Sequence, residues 1–169
     1  MTSKALVLFA HGKESGPWGS KIKHLANIAE QHGALVMSPD YSGIPDPDQR
    51  LKMLLTLALP EHDRLILVGS SMGGYVSTLA TQTLQVHGLF LMAPTFYLPG
   101  YAVHDLAGVA DHTVVVHGWN DEVIPIDHSI RFCQRQKADL HILDSDHRLN
   151  SVLPELGHIF DHFLDKAGA

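Results

Sequence analysis

Cysteine is almost absent: Cys133 is the only one in 169 residues, so no disulfide can form within the chain. Long apolar runs are absent too. The first one, Ala5 to Ala10, is shorter than the core of a secretion signal, and no cleavage-site pattern follows it. Nothing approaches the ~20 consecutive apolar residues that a membrane-spanning helix needs. Positive charge is in deficit, with 12 basic against 18 acidic residues and a formal net charge of −6, which argues against broad binding to nucleic acid or to an anionic membrane. Repeats, low-complexity stretches and linker-like shifts in composition are likewise missing. The expectation is one domain spanning residues 1–169, cytoplasmic, with a small-molecule partner and no cofactor; its oligomeric state is left open. What is present is a hydrophobic content of 45%, enough for a globular core.

Short apolar segments alternate with longer amphipathic ones. Strands are expected at 5–10, 34–38, 64–69, 88–92, 113–117 and 140–143, and helices at 18–31, 47–58, 73–84, 127–136 and 149–166. Such alternation predicts βαβ units, hence an α/β fold with a mostly parallel sheet of about six strands between two helical layers. Pro45 and Pro47 mark a helix start, where proline is tolerated, and Pro60 lies just past the end of that helix. The final segment repeats Leu149, Val152, Leu153, Leu156, Ile159, Phe160 and Phe163 near a 3.6-residue period.

In a parallel sheet with right-handed crossovers, all strand C-termini share one edge, and ligands bind along it. The residues with chemical potential follow those strand ends: His11-Gly12, Asp40-Tyr41, Ser70-Ser71, Pro94, Asp121 and His147. Gly69, Ser71 and Gly73 fit the pattern G-x-S-x-G across a strand, a tight turn and a helix start. Such a turn holds its serine in a strained conformation and aims the hydroxyl outward, near a helix N-terminus that favours developing negative charge. The plainer alternative is that Ser71 only caps the helix. Ser70 is an adjacent rival nucleophile, although the glycine frame centres on Ser71.

With these residues in place, positions 4–166 resemble a compact α/β-hydrolase, whose members carry a nucleophile, then an acid, then a histidine in that chain order. The resemblance implies a six-stranded minimal core and a carboxylesterase- or thioesterase-like serine hydrolase. Its segment H-G-x-x-D-x-x-V-P matches His117 to Pro125, with Ile124 in place of valine, and gives Asp121 the acid's role; Glu122 is the neighbouring rival. His147, in the loop after the last strand, takes the role of general base, because histidine can accept and return a proton near neutral pH. The His11-Gly12 turn matches the segment that implies an oxyanion hole from the backbone N–H groups of Lys13 and Met72. Only 93–112 separates two strands where many relatives carry a helical lid, which implies a lidless site.

Trp18, Tyr41, Phe96, Tyr97 and Trp119 fall on the same edge and are candidates for a substrate pocket, or for packing under loops. His158 and His162 stand four apart on the last helix, but no third ligand accompanies them, so no metal site is expected. Cys133 lies in a predicted helix without a nucleophile's turn. The alternative function from a different class is a binding or regulatory protein that keeps the fold without turnover.

Overall fold

Six short segments form one sheet in the computed structural model, which describes residues 4–169. In chain order the elements are β1 (Ala5–Ala10), α1 (Ser20–Gln31), β2 (Leu35–Met37), α2 (Pro47–Leu55), β3 (Arg64–Ser70), α3 (Met72–Ala80), β4 (Val86–Met92), β5 (Ala110–Gly118), α4 (Ile126–Gln136), β6 (Asp139–Leu143) and α5 (Leu153–Ala167). The strands lie in the order β2-β1-β3-β4-β5-β6, and all neighbouring pairs run parallel. The sheet is therefore stricter than the mostly parallel one expected.

Both faces of the sheet are covered, which is why its central strands read as unbroken apolar runs. Val7 and Phe9 of β1 join Val68, Phe90 and Val116 in a core closed by α1 and α5. Leu6 and Leu8 face the other way, with Leu67, Leu91 and Val115, into a core closed by α2, α3 and α4. The first core centres on Phe90, whose ring meets Phe160 at 4.9 Å and Phe163 at 5.2 Å between centroids.

Element limits depart from expectation where side chains compete for the backbone. The last helix starts at Leu153 rather than Leu149, because Pro154 has no N–H to donate and fits only the first turn. The residues before it form a separate 3-10 turn, Asn150–Val152, entered through a left-handed Leu149. Helix α2 stops at Leu55 rather than Ala58, where the Thr56 hydroxyl folds back on the Lys52 and Met53 carbonyls. Helix α3 ends at Ala80 rather than Leu84, and the Thr81 hydroxyl donates to the Thr78 carbonyl at 2.6 Å.

Segment 93–109 has no helix or strand. It folds down beside α3 and α4: Phe96 lies 4.5 Å from Phe132, Tyr101 meets Tyr75 edge-on at 4.8 Å, and the Val103 N–H donates to the Tyr75 hydroxyl. No helical lid stands there. Among the described residues no helix is long and apolar enough to cross a membrane.

From β1 the chain moves outward to β2, then returns to the opposite side of β1 and proceeds through β3, β4, β5 and β6. The reversal opens a crevice at the C-terminal ends of β1 and β3. Phe160→Ala should lower the unfolding free energy by about 3–5 kcal/mol, read from urea titration, because it empties the centre of the α5 face. A loss under about 1 kcal/mol would mean that this core is less tightly packed than described.

Candidate active site

Strand β3 runs straight into α3 through Ser71, whose backbone sits at φ 54 and ψ −118. For a residue with a side chain, such a conformation costs roughly 1–3 kcal/mol. Its surroundings hold it there: the Ser71 N–H donates to the Met92 carbonyl at 2.9 Å, and the Ser71 carbonyl accepts from the N–H groups of Gly74 and Thr95. The flanking glycines are a steric necessity. A Cβ at Gly73 would run into the Ala10 carbonyl, and one at Gly69 into the Gly73 carbonyl. Ser71 occupies the N-cap position without making a side-chain cap, so the capping alternative fails. Its Oγ lies 3.1 Å from His147 Nε2 instead. The rival Ser70 makes no hydrogen bond to the histidine among the described residues, and its Oγ accepts one from Lys21 at 3.0 Å.

The loops after β5 and β6 bring the other two residues to this turn. The Trp119 N–H donates to the Leu143 carbonyl, the Asn120 N–H to the Ser145 carbonyl, and the Asn120 side chain to Asp144. These bonds lace the loops together, and His147 Nδ1 donates to Asp121 Oδ2 at 2.8 Å. The Asp121 carboxylate is fully buried. Burial alone would raise its pKa, but hydrogen bonds from His117, His147 and the N–H groups of Ile124 and Val123 outweigh it and hold the carboxyl well below the usual range. Because the ionised carboxylate only accepts, Nδ1 carries the histidine proton and leaves Nε2 free to accept the Ser71 hydroxyl. Glu122 is exposed and takes no part.

His117 went unnoticed as a functional residue in the sequence. It is completely buried, with Nε2 at 3.0 Å from Asp121 Oδ2 and Nδ1 at 2.7 Å from the Ser129 hydroxyl. The signal available was its place four residues before the acid, in the motif already singled out.

The turn after β1 packs directly on the serine: a Cβ at Gly12 would lie 3.4 Å from that of Ser71. Arg50, also missed in the sequence, holds this turn from behind. It is only 2% exposed and has no carboxylate partner among the described residues; it donates instead to the carbonyls of His11, Gly12 and Ile44. His11 completes the anchorage, accepting the Tyr41 N–H at Nε2, 2.8 Å away. Neither the Lys13 nor the Met72 N–H donates to a backbone carbonyl among the described residues, and both residues line the cavity in front of Ser71.

That cavity, about 540 Å³, is also lined by His147 and by Ile22, Leu98, Tyr101, Val123 and Arg148. None of the five aromatics expected in a pocket lines it. Tyr41 and Phe96 are buried in the core of the α2, α3 and α4 face. Tyr97 lies under the Arg131 guanidinium, 4.0 Å from its ring centre. Trp18 and Trp119 are exposed outside the cavity, at 46% and 61%. Proximity in sequence to a strand end fixed their edge of the sheet but not their direction. Cys133 lies buried in α4, and that burial pushes its thiol pKa up to about 12.

Asp121 keeps its charge in the fold more readily than in the unfolded chain, whose ordinary value is 3.8. Its contribution to stability is complete above that value and fades as pH falls through the lower folded one. Asp121→Asn should therefore cost about 2 kcal/mol at neutral pH, with the difference from wild type shrinking below about pH 4; a pH-independent difference would contradict the ionised carboxylate. Arg50→Met should cost about 2–4 kcal/mol in urea unfolding, because it removes a donor from three carbonyls, of which that of Gly12 keeps the His11 ring as another, and an unchanged midpoint would mean that water replaces it.

Residues 6–108 match the family described as Uncharacterised protein family (UPF0227). Among solved structures, one from Xanthomonas campestris pv. campestris, assigned to the α/β hydrolase superfamily, superposes with a TM-score of 0.84 at 30% identity, over 96% of this chain and 98% of that one. Est1E from Butyrivibrio proteoclasticus superposes at 0.82 with 16% identity, over 99% of this chain and 89% of that one. An α/β serine hydrolase without a lid from Xanthomonas campestris does so at 0.77 with 17% identity, over 98% and 83%. At these lower identities the likeness concerns the fold. The search of curated proteins returned no match. By family match, by a relative aligned over nearly its whole length and by its all-parallel sheet, the chain belongs to UPF0227 and to the α/β hydrolase superfamily.

Proposed function

We propose that the protein is a serine hydrolase that cleaves a carboxylic ester or thioester of a small molecule, in the cytoplasm, through an acyl-Ser71 intermediate. The observation that carries this reading is the continuous hydrogen-bond line from Ser71 to His147 at 3.1 Å and from His147 to Asp121 at 2.8 Å. It joins a nucleophile to a base whose tautomer is fixed by an acid.

In this mechanism Ser71 Oγ attacks the carbonyl carbon while its proton passes to His147 Nε2. The carbonyl oxygen becomes an oxyanion and takes hydrogen bonds from the N–H groups of Lys13 and Met72. Asp121 stabilises the imidazolium that forms. Collapse of the tetrahedral intermediate breaks the bond to the alcohol or thiol, which leaves with the proton from Nε2. Water then attacks the acyl-Ser71 carbonyl, giving its proton to Nε2, and a second collapse returns that proton to Ser71 and frees the acid. The cavity volume suits a small substrate.

Ser71→Ala should remove hydrolysis of p-nitrophenyl esters by about 10⁴-fold or more while the fold, followed by circular dichroism, persists. A fluorophosphonate probe should label wild type at Ser71, located by peptide mass spectrometry. Retained esterase activity in Ser71→Ala, or absence of labelling in folded wild type, would refute the reading.

A further inference from the structure

The cavity beside Ser71 carries charge against the trend of the chain. The sequence has 18 acidic and 12 basic residues, yet the charged side chains on the cavity wall are Lys13, Lys21 and Arg148 against Glu14 alone. Lys13, Arg148 and Glu14 extend at its exposed rim, whereas Lys21 is half-buried in the first turn of α1. A cation there meets the positive end of the helix dipole. Burial pulls its pKa down to about 8, against the raising influence of Asp146 and Asp121, so the ammonium is held in a site that partly denies it water.

No ion pair compensates that cost among the described residues. The single hydrogen bond recorded for Lys21 Nζ goes to Ser70 Oγ at 3.0 Å, one residue before Ser71. An ammonium has three donors, so two N–H groups remain for something in the cavity. Holding Ser70 alone would not need a charge, because a neutral donor does that without the penalty of desolvating a cation. The remaining wall includes Ile22, Met72, Leu98 and Val123. A half-buried cation beside these apolar side chains matches a small, largely apolar molecule with a single negative charge.

We propose that Lys21 is a specificity residue that binds a carboxylate carried by the ester or thioester cleaved at Ser71. This rests on the hydrolase reading above. The carboxylate takes the place of water on the ammonium, and the apolar part of the substrate lies along Ile22 and Leu98.

Two matched pairs of esters test it, with the charge on the acyl side in one and on the alcohol side in the other. The 4-methylumbelliferyl monoester of adipic acid is compared with 4-methylumbelliferyl hexanoate, and 3-carboxyphenyl butyrate with phenyl butyrate, after subtraction of spontaneous hydrolysis. Wild type should favour the carboxylate-bearing member of at least one pair by about tenfold or more in kcat/KM. Lys21→Met should lose about tenfold on that ester while changing its neutral partner by less than about threefold, and Lys21→Arg should keep part of the preference. Preference in neither pair, or equal loss on both members, overturns the proposal; equal loss would make Lys21 a support of the turn only.

Calorimetric binding of the same four esters to Ser71→Ala separates this proposal from the hydrolase reading. A preference for the charged ester that disappears in Ser71→Ala/Lys21→Met supports Lys21 even if wild type turns none of them over, in which case hydrolysis at Ser71 is what fails. Binding without preference, or no binding, overturns the role of Lys21.

Discussion

Everything at this site depends on one strained residue. Ser71 adopts a positive φ at the end of β3, and the chain must reverse there with almost no room between strand and helix. Tertiary contacts keep it so. The Ser71 N–H is tied to β4 and its carbonyl to α3 and to Thr95, so relaxing the serine would break bonds to three parts of the chain. The parallel sheet supplies the rest. Because all six strands point the same way, the ends of β1, β3, β5 and β6 open on the edge where Ser71 stands. The glycine turn, the acid and the histidine can then come from loops far apart in sequence.

The second constraint is the buried carboxylate of Asp121. An isolated carboxylate would protonate rather than enter the interior. Here four donors surround it: two backbone N–H groups on Oδ1 and two histidines at Oδ2. Placing His117 at the end of β5 and Asp121 in the tight turn that follows satisfies the charge locally, and His147 meets it from the loop after β6. His147 therefore meets a carboxylate that three other donors also hold, and its own tautomer follows from that contact. The Ser129 hydroxyl on the far side of His117 extends the same logic into α4.

This hierarchy explains what the sequence made legible. The alternation of apolar and amphipathic segments revealed the sheet and its helices, since burial on both faces leaves a pattern in the central strands. The G-x-S-x-G turn singled out Ser71, and chain order, strand-end position and the family resemblance singled out Asp121 and His147; the structure brings the three together in a single hydrogen-bond line. The pocket was not legible. Tyr41 and Phe96 sit at the predicted edge, yet they turn into the core, because an aromatic side chain gains more from burial than from lining an open cavity. Leu98, Tyr101 and Val123 line the cavity instead, from loops without periodicity. Arg50 was hidden for a related reason: on a helix it reads as a surface cation, and only the fold shows that it ends beneath the turn after β1.

Arg50 and Asp121 together give the site a fixed polarity. Both side chains are buried and of opposite sign, one bonded to the His11-Gly12 turn that packs on Ser71 and the other to His147. In the proposed mechanism, attack makes negative charge at the carbonyl oxygen, beside that turn, and positive charge on the imidazole. Each charge would thus develop next to a buried group of the opposite sign that is already in place and needs no solvent to reorganise. The arrangement also accounts for how Arg50 persists without a carboxylate partner. Its Nε and Nη1 donate to three backbone carbonyls, which leave the charge unneutralised, whereas an acidic partner would cancel it.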